Sequence, residues 1–281
     1  MSVKVEASHD GIPHNKVMVI GAVISLVSLY IAIIGTVIGV DYLAFFGGFA
    51  AVGALIWGNS TIKKLCSYGI GTGVPSAGML AFGSGLIALL FASTLGGFSI
   101  WIIPVAALVI ALIVGLFLGW ISNSVLNMKI PVMTRSIAEL AAVGALALMG
   151  FGVVATGTVG FTGIATIEIL GVTVYNASYL GAGVIAVSFM LGAIALQHPF
   201  NACLGPGEKQ DRTNMLAIEC GFLSMIIMAV ISFVFVSLAA AWISLIVALI
   251  GWAVSYVKYI ALSKRDAAAW LDAKPFSDAE E

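Results

Sequence analysis

Long apolar segments alternate with short polar connections along most of this 281-residue chain. Eight segments are long enough, at roughly 20 residues, to bridge about 30 Å of hydrocarbon as an α-helix. Irregular backbone cannot face lipid at that depth, so each segment is predicted to be helical. The second is the shortest and is rich in glycine. The predicted spans are residues 17–39, 42–59, 77–95, 99–122, 137–157, 177–196, 214–236 and 240–262.

Composition supports this interpretation. The chain is 61% hydrophobic and only 9% charged, whereas soluble domains contain about 25% charged residues. The fold class predicted is therefore all-α, a polytopic membrane protein with about eight transmembrane helices. A net charge of −1 provides no basic surface for nucleic acid. The three cysteines show no metal-type spacing and are interpreted as small apolar residues.

The lysines and arginines test the span assignment. With eight spans, all twelve fall on one side of the membrane, in the tails, in alternate connections and, for Lys258, in the last turns of the final span. The charged residues of the opposite connections are Asp41 and Glu168. Because cytoplasmic loops collect Lys and Arg, we expect both termini to be cytoplasmic and the protein to be a multi-pass protein of the cell membrane.

An internal similarity suggests a repeat. Residues 69–85 (GIGTGVPSAGMLAFGSG) and 205–221 (GPGEKQDRTNMLAIECG) align without gaps at an offset of 136, with six of seventeen positions identical. The same offset places spans two, three and four on spans six, seven and eight. The prediction is two parallel four-helix repeats, residues 17–136 and 137–262, between cytoplasmic segments 1–16 and 263–281.

Both similar segments open with glycine-rich loops that are predicted to lie on the cytoplasmic face. A phosphate-binding loop would need the pattern G-x-x-x-x-G-K-[ST] after a strand, and the sequence contains neither. Close backbone packing, or a non-helical entry into the following span, explains these glycines better. We expect these loops to contact a cytoplasmic partner. Their glycines are Gly69, Gly71, Gly73, Gly205 and Gly207.

Ionisable residues within spans are the main candidates for chemistry, because a carboxylate there is costly unless it is paired or hydrated. Glu219, near the cytoplasmic end of the seventh span, has two interpretations. It is either a cation ligand or proton carrier, or an interfacial carboxylate bonded to Arg212 or to a partner. Glu139 follows Arg135 by four residues, which favours an i,i+4 ion pair over a functional role.

Three further residues are weaker candidates. Asp41 and Glu168 are expected at the outer face, either solvated or lining an ion exit. His198 precedes Pro199 in the most polar internal connection and is either a helix cap or a ligand. The sequence shows no nucleophile–base pair, so no catalytic residue is assigned to this chain.

Three segments carry a resemblance to a known family: FFGGFAAVGALIWG (45–58), SYGIGTGVPSAGML (67–80) and LQHPFNACLGPGEKQDRT (196–213). Together they resemble the C subunit of tetrahydromethanopterin S-methyltransferase, a membrane complex of methanogenic archaea. The likeness extends over nearly the whole chain between the tails.

The resemblance implies a function that the residues alone do not. The complex transfers a methyl group from methyl-tetrahydromethanopterin to coenzyme M through a corrinoid (cobamide) on its A subunit. This exergonic transfer drives sodium ions out of the cell. The C, D and E subunits form the main membrane part, so the chain would be a scaffold that helps form the sodium path and binds no cofactor of its own. Glu219 is then the candidate sodium contact.

Two other functions stay open from the residues alone. A stand-alone secondary transporter or channel would also have parallel repeats, but it usually carries polar groups near the membrane midplane, where these spans are apolar. A purely structural anchor would make Glu219 dispensable for sodium dependence. Copurification with a corrinoid protein would exclude the transporter.

Overall fold

In the computed structural model, residues 11–68, 74–160, 166–169, 172–175 and 209–273 are described. Seven α-helices account for most of these residues. They are α1 (His14–Ile38), α2 (Phe46–Cys66), α3 (Val74–Thr94), α4 (Ile103–Trp120), α5 (Met133–Thr156), α6 (Gln210–Phe235) and α7 (Leu238–Ala273). Short 3-10 turns cover Asp41–Phe45, Leu95–Gly97 and Ile100–Ile102, and a π-helical turn, Ile121–Val125, extends α4.

Seven helices in this described part of the chain are long and apolar enough to cross a membrane. They overlap seven of the eight predicted spans. The last helix, α7, continues to Ala273 and so includes the first part of the segment predicted as a C-terminal tail, residues 263–281. The remaining prediction, residues 177–196, lies outside the described residues. The seven candidate spans are His14–Ile38, Asp41–Cys66, Leu80–Gly97, Ile100–Val125, Met133–Thr156, Gln210–Phe235 and Leu238–Ala269.

The second span is longer than predicted. The polar run that follows residue 59 predicted an end there, whereas α2 continues to Cys66. Asn59, Ser60 and Thr61 are buried in the structure. The helix continues because these polar side chains pack against neighbouring helices, where they find hydrogen-bond partners.

A short β-hairpin accompanies the helices in the described part of the chain. Strands β1 (Thr166–Ile169) and β2 (Val172–Tyr175) pair antiparallel, with Glu168 opposite Thr173. Both strands are rich in β-branched residues in the sequence, and two residues, Leu170 and Gly171, separate them. These features favour a tight hairpin, and it lies in the predicted connection between the fifth and sixth spans.

Helix α5 lies at the centre of the bundle. Every residue in an 18-residue stretch of α5 is buried, and the helix packs against α1, α2, α3, α4 and α6. Close approach to α3 depends on Gly144, where a Cβ would overlap the backbone carbonyl of Ala81. On the other side, Gly150 lies against the backbone of Gly47 in α2. Small residues let helix backbones meet in this way, as expected for helices in lipid.

The described bundle has two chemically different ends. The start of α1, the end of α2, the starts of α5 and α6 and the last turns of α7 meet at one end, through bonds such as Arg135 Nη2 to Asn15 Oδ1 and Arg265 Nη2 to Asp211 Oδ2. We call this the cation end. At the opposite end, the Thr36 hydroxyl donates to the carbonyl of Gly157, and the Tyr30 hydroxyl donates to that of Trp101.

The described lysines and arginines gather toward the cation end. They are Lys16, Lys63, Lys64, Lys129, Arg135, Lys209, Arg212, Lys258, Lys264 and Arg265.

Candidate functional site: buried carboxylates at the cation end

Two buried carboxylates lie toward the cation end on neighbouring helices. Glu139 is in the second turn of α5 and is 4% exposed, and Glu219 is in the third turn of α6 and is 3% exposed. Helices α5 and α6 pack against each other. The structure therefore brings the two acids that the sequence singled out within spans to the same end of the bundle.

The Glu139 carboxylate is the centre of a hydrogen-bond network. Arg135 Nε donates to Oε1 at 2.7 Å, which confirms the predicted i,i+4 ion pair. His14 Nε2 lies 2.8 Å from Oε2. The Thr61 hydroxyl donates to the same oxygen at 2.9 Å, and the Trp57 indole N–H donates to it at 3.4 Å.

The Glu139 network joins three helices. His14 comes from the first turn of α1, and its Nδ1 lies 2.9 Å from the Ser60 hydroxyl of α2. Arg135 also bonds to Asn15, next to His14, at 3.0 Å. The side chain of His14 therefore bridges α2 and α5 and holds the start of α1 against both.

This donor set determines what Glu139 can do chemically. Four side-chain donors, one of them a guanidinium, converge on its two oxygens. A metal cation would have to displace these donors and approach a positive charge. The arrangement favours a structural anion, whose burial is compensated by hydrogen bonds from three elements.

The partners of Glu139 other than Arg135 were not predicted from the sequence. The sequence contains a pattern that could have grouped two of them, because Trp57 and Thr61 are four residues apart and lie on one face of a helix. Ser60 and His14 carry no comparable pattern, because their pairing depends on the packing of α1 against α2.

Glu219 lies beside the face of α6 that packs on α7. That face is defined by Asp211, which pairs with Arg265, and by Phe222, which lies against Gly251. Because α6 and α7 run antiparallel, these two contacts place Glu219 and Ser255 at the same height along the bundle. Ser255 is four residues after Gly251 and therefore lies on the same face of α7. The Ser255 side chain is also buried.

A second contact ties α6 to α2 at this end. Asn59 Nδ2 donates to Asn214 Oδ1 at 3.1 Å. The α6 face carrying Asn214 continues through Gly221, where a Cβ would meet Val52. Glu219 thus lies on a helix held from two sides, by α2 and by α7.

The other predicted candidates are distributed differently. Asp41 begins the 3-10 turn at the opposite end, and its side chain is exposed. Glu168 is in strand β1 of the hairpin. His198, Gly69, Gly71, Gly73, Gly205 and Gly207 lie outside the described residues. Among the residues that the structure does describe, no group of three or more His, Cys, Asp and Glu side chains is placed to hold a metal ion.

Comparison with known proteins identifies the family. Residues 1–275 match the family of the C subunit of tetrahydromethanopterin S-methyltransferase. The match covers nearly the whole chain, including all seven described helices.

Individual relatives agree over almost their full length. The chain is 38% identical to the C subunit of tetrahydromethanopterin S-methyltransferase from Methanosarcina barkeri, over 96% of this chain and 95% of that protein. It is 39% identical to the Methanosarcina mazei protein of the same name, over 96% and 94%, and 34% identical to that of Methanocaldococcus jannaschii, over 96% and 95%. The chain therefore belongs to the C-subunit family of tetrahydromethanopterin S-methyltransferases.

Proposed function

We propose that this chain is an integral membrane subunit of the sodium-translocating complex that moves a methyl group from methyl-tetrahydromethanopterin to coenzyme M. Its role is to scaffold the membrane part and to help form the sodium path. The catalytic groups and the corrinoid belong to other subunits. Family membership and the apolar helical bundle support this assignment.

The orientation follows from the charges. Positively charged residues collect on the cytoplasmic side of membrane proteins, so the cation end is cytoplasmic in this proposal. The described chain begins at residue 11 and ends at residue 273 on that end. The proposal therefore keeps both termini on the cytoplasmic side.

The connectivity supports an eighth span and a repeat. Helix α5 ends at the opposite end and α6 begins at the cation end, and this change of end supports the proposal that residues 177–196 form an eighth span. Helices α3 and α6 begin 136 residues apart, at Val74 and Gln210, and α4 and α7 begin 135 apart, at Ile103 and Leu238. These offsets match that of the repeat proposed from the sequence.

The burial of Glu219 is the observation that carries the sodium assignment. A carboxylate within a span costs several kcal/mol unless a cation, a partner or water compensates it, and such residues commonly mark ion paths. Sodium prefers oxygen ligands, as hard cations do. Glu219 supplies carboxylate oxygens, and the Ser255 hydroxyl, at the same height on α7, is a second group that can supply an oxygen ligand.

The same geometry suggests where partners bind. In this proposal the cation end faces the corrinoid-bearing A subunit. The glycines that the sequence predicts to contact a cytoplasmic partner, Gly69, Gly71, Gly73, Gly205 and Gly207, are proposed to contact the same subunit. The D and E membrane subunits then pack along the sides of the bundle. The complex with its partners is the unit that transfers methyl groups and moves sodium.

Substitution of Glu219 in the assembled complex tests the sodium assignment. We expect Glu219→Gln to raise the sodium concentration needed for half-maximal methyl transfer by tenfold or more, and to reduce uptake of radioactive sodium into proteoliposomes. Ser255→Ala should give a smaller shift in the same direction. Glu139→Gln is the matched control, because Glu139 is the other buried carboxylate at the cation end and its oxygens are already bonded to four side-chain donors.

Copurification must accompany these assays. The set of copurifying subunits and the bound corrinoid should be unchanged in each variant, which separates a lost ion contact from failed assembly. Unchanged sodium dependence in a fully assembled Glu219→Gln complex would show that the ion is held elsewhere. Purification of the chain alone, without a corrinoid protein, would contradict the proposed complex.

A further inference from the structure

The connection between α4 and α5 has an unusual backbone. A π-helical turn, Ile121–Val125, extends α4, and two non-glycine residues then adopt left-handed conformations, Asn127 at φ 56° and Lys129 at φ 52°. The loop is closed by a hydrogen bond of 2.8 Å from the Ile130 N–H to Asn123 Oδ1, and Ile130 is buried. The segment is therefore a fixed structural feature of the cation end.

A lysine is unexpected at the left-handed position 129 of this loop. Asparagine tolerates the left-handed region, but for lysine the conformation is strained, and glycine would fit without cost. Strain of this kind is a reason to look for a function. Bonds on either side of Lys129, from the Met128 N–H to the Ser122 carbonyl and from the Ile130 N–H to Asn123 Oδ1, fix its backbone, and its side chain is exposed.

The residues before Lys129 are apolar and exposed. Val125 is 60% exposed, Leu126 66% and Met128 45%. They follow directly on the outer face of α4, where Phe117 and Trp120 are also exposed and stack on each other. The apolar outer surface of α4 therefore continues into the loop.

The position of this loop relative to the bilayer follows from α4. Trp101 and Trp120 are both exposed near the two ends of the span, and at about 1.5 Å per residue they are about 28 Å apart. Tryptophans prefer the two membrane interfaces, and the hydrocarbon core is about 30 Å thick. Residues 125–129 then lie just beyond the core, at the level of the lipid headgroups.

We propose that residues 125–129 form a lipid-anchoring site that binds anionic headgroups. Lys129 contacts a headgroup phosphate, while Val125, Leu126 and Met128 insert at the boundary with the acyl chains. A cationic side chain on a fixed backbone, beside exposed apolar side chains, is a combination that binds such a surface. The continuous apolar face of α4 favours lipid over a protein as the occupant.

Photocrosslinking in the intact complex tests this site. A photoreactive amino acid replaces Leu126, and the complex is reconstituted in nanodiscs of either phosphatidylglycerol or phosphatidylcholine. We expect lipid adducts, with a yield at least threefold higher in phosphatidylglycerol. Lys129→Gln should remove this preference and Lys129→Arg should keep it.

Two controls make the result decisive. The same photoreactive residue at Ile113, in the middle of the exposed face of α4, should give lipid adducts with no headgroup preference. Lys129→Gly relieves the backbone strain, so the variant should be at least as thermally stable as the parent while losing the preference. A lost preference is then not a consequence of misfolding.

Adducts at position 126 with another protein of the complex, or with residues 69–73 of this chain, would overturn the proposal. Equal yields in the two lipids would also overturn it. The site depends on the proposed membrane location of α4 but not on sodium transport. Lipid adducts at position 113 together with protein adducts at position 126 would reject the anchor and leave the membrane location supported.

Discussion

Helices α4 and α5 are consecutive in sequence and pack against each other, but α4 lies at the periphery of the bundle and α5 at its centre. In an 18-residue stretch of the span containing α4 the mean hydropathy is 2.9 and 28% of the residues are buried, whereas the corresponding stretch of α5 has a mean hydropathy of 2.1 and is entirely buried. The more hydrophobic helix is thus on the outside. In a soluble protein the order would be the reverse, because burial from water favours the most apolar helix.

The difference has a physical cause in the membrane. Lipid chains are as apolar as leucine, so hydrophobicity provides no drive for one helix to pack inside another. Close packing and polar contacts decide instead. Helix α5 has Gly144 and Gly150 at backbone contacts and Glu139 at the centre of the network, while α4 presents bulky residues such as Ile113 outward.

The largest expected effect is at the glycine contact of α5. In Gly144→Leu the side chain would overlap the Ala81 carbonyl, and two packed backbones cannot yield as side chains do. We expect destabilisation of about 3 kcal/mol or more, at the upper end for overpacking, and loss of complex assembly. Thermal unfolding and recovery of the subunits after purification measure this.

Gly83→Leu is the matched control for the glycine contact. Gly83 is on α3, and a Cβ there meets no atom of the described residues within 4 Å. Equal recovery of the Gly144→Leu and Gly83→Leu complexes would show that close backbone packing does not place α5 at the centre.

The Glu139 network should give the next effect. Glu139→Leu leaves Arg135, His14, Thr61 and Trp57 without their shared acceptor, and removing one partner of a buried charged group costs about 3–5 kcal/mol. Glu139→Gln keeps an acceptor oxygen and should cost less. The thermal midpoint of the purified complex is the measurement.

A double-mutant cycle of Glu139→Gln with His14→Ala isolates the contact between α1 and α5. We expect the two changes to be non-additive, since the residues share a hydrogen bond of 2.8 Å. Strict additivity would mean that His14 does not bind Glu139.

The smallest effect is expected on the outer face of α4. Ile113 is 61% exposed, so Ile113→Ala should change stability by no more than about 0.5 kcal/mol, and methyl transfer should be unaltered. A large loss of stability, or the loss of a partner protein during purification, would show that a protein covers this face rather than lipid.

Individual residues show how far sequence reasoning reaches. The Arg135–Glu139 pair was predictable because i,i+4 spacing brings two side chains together on any helix. The contact of His14 with Glu139 was not, because 125 residues separate them. The end of α2 was predicted too early for the same reason, since burial of Asn59 and Thr61 depends on helices α5 and α6.

The apolar runs and the placement of lysines and arginines were enough to locate seven of the helices and to predict that the charges gather at one end. Both follow from the solvent alone, because a bilayer demands long apolar helices and excludes charge from their middle. Only the packed bundle shows that α5 is central, that α4 is peripheral and that one carboxylate collects four donors. Those features depend on which helix faces meet, and the pattern of apolar and polar residues along one helix does not specify which other helices pack against it.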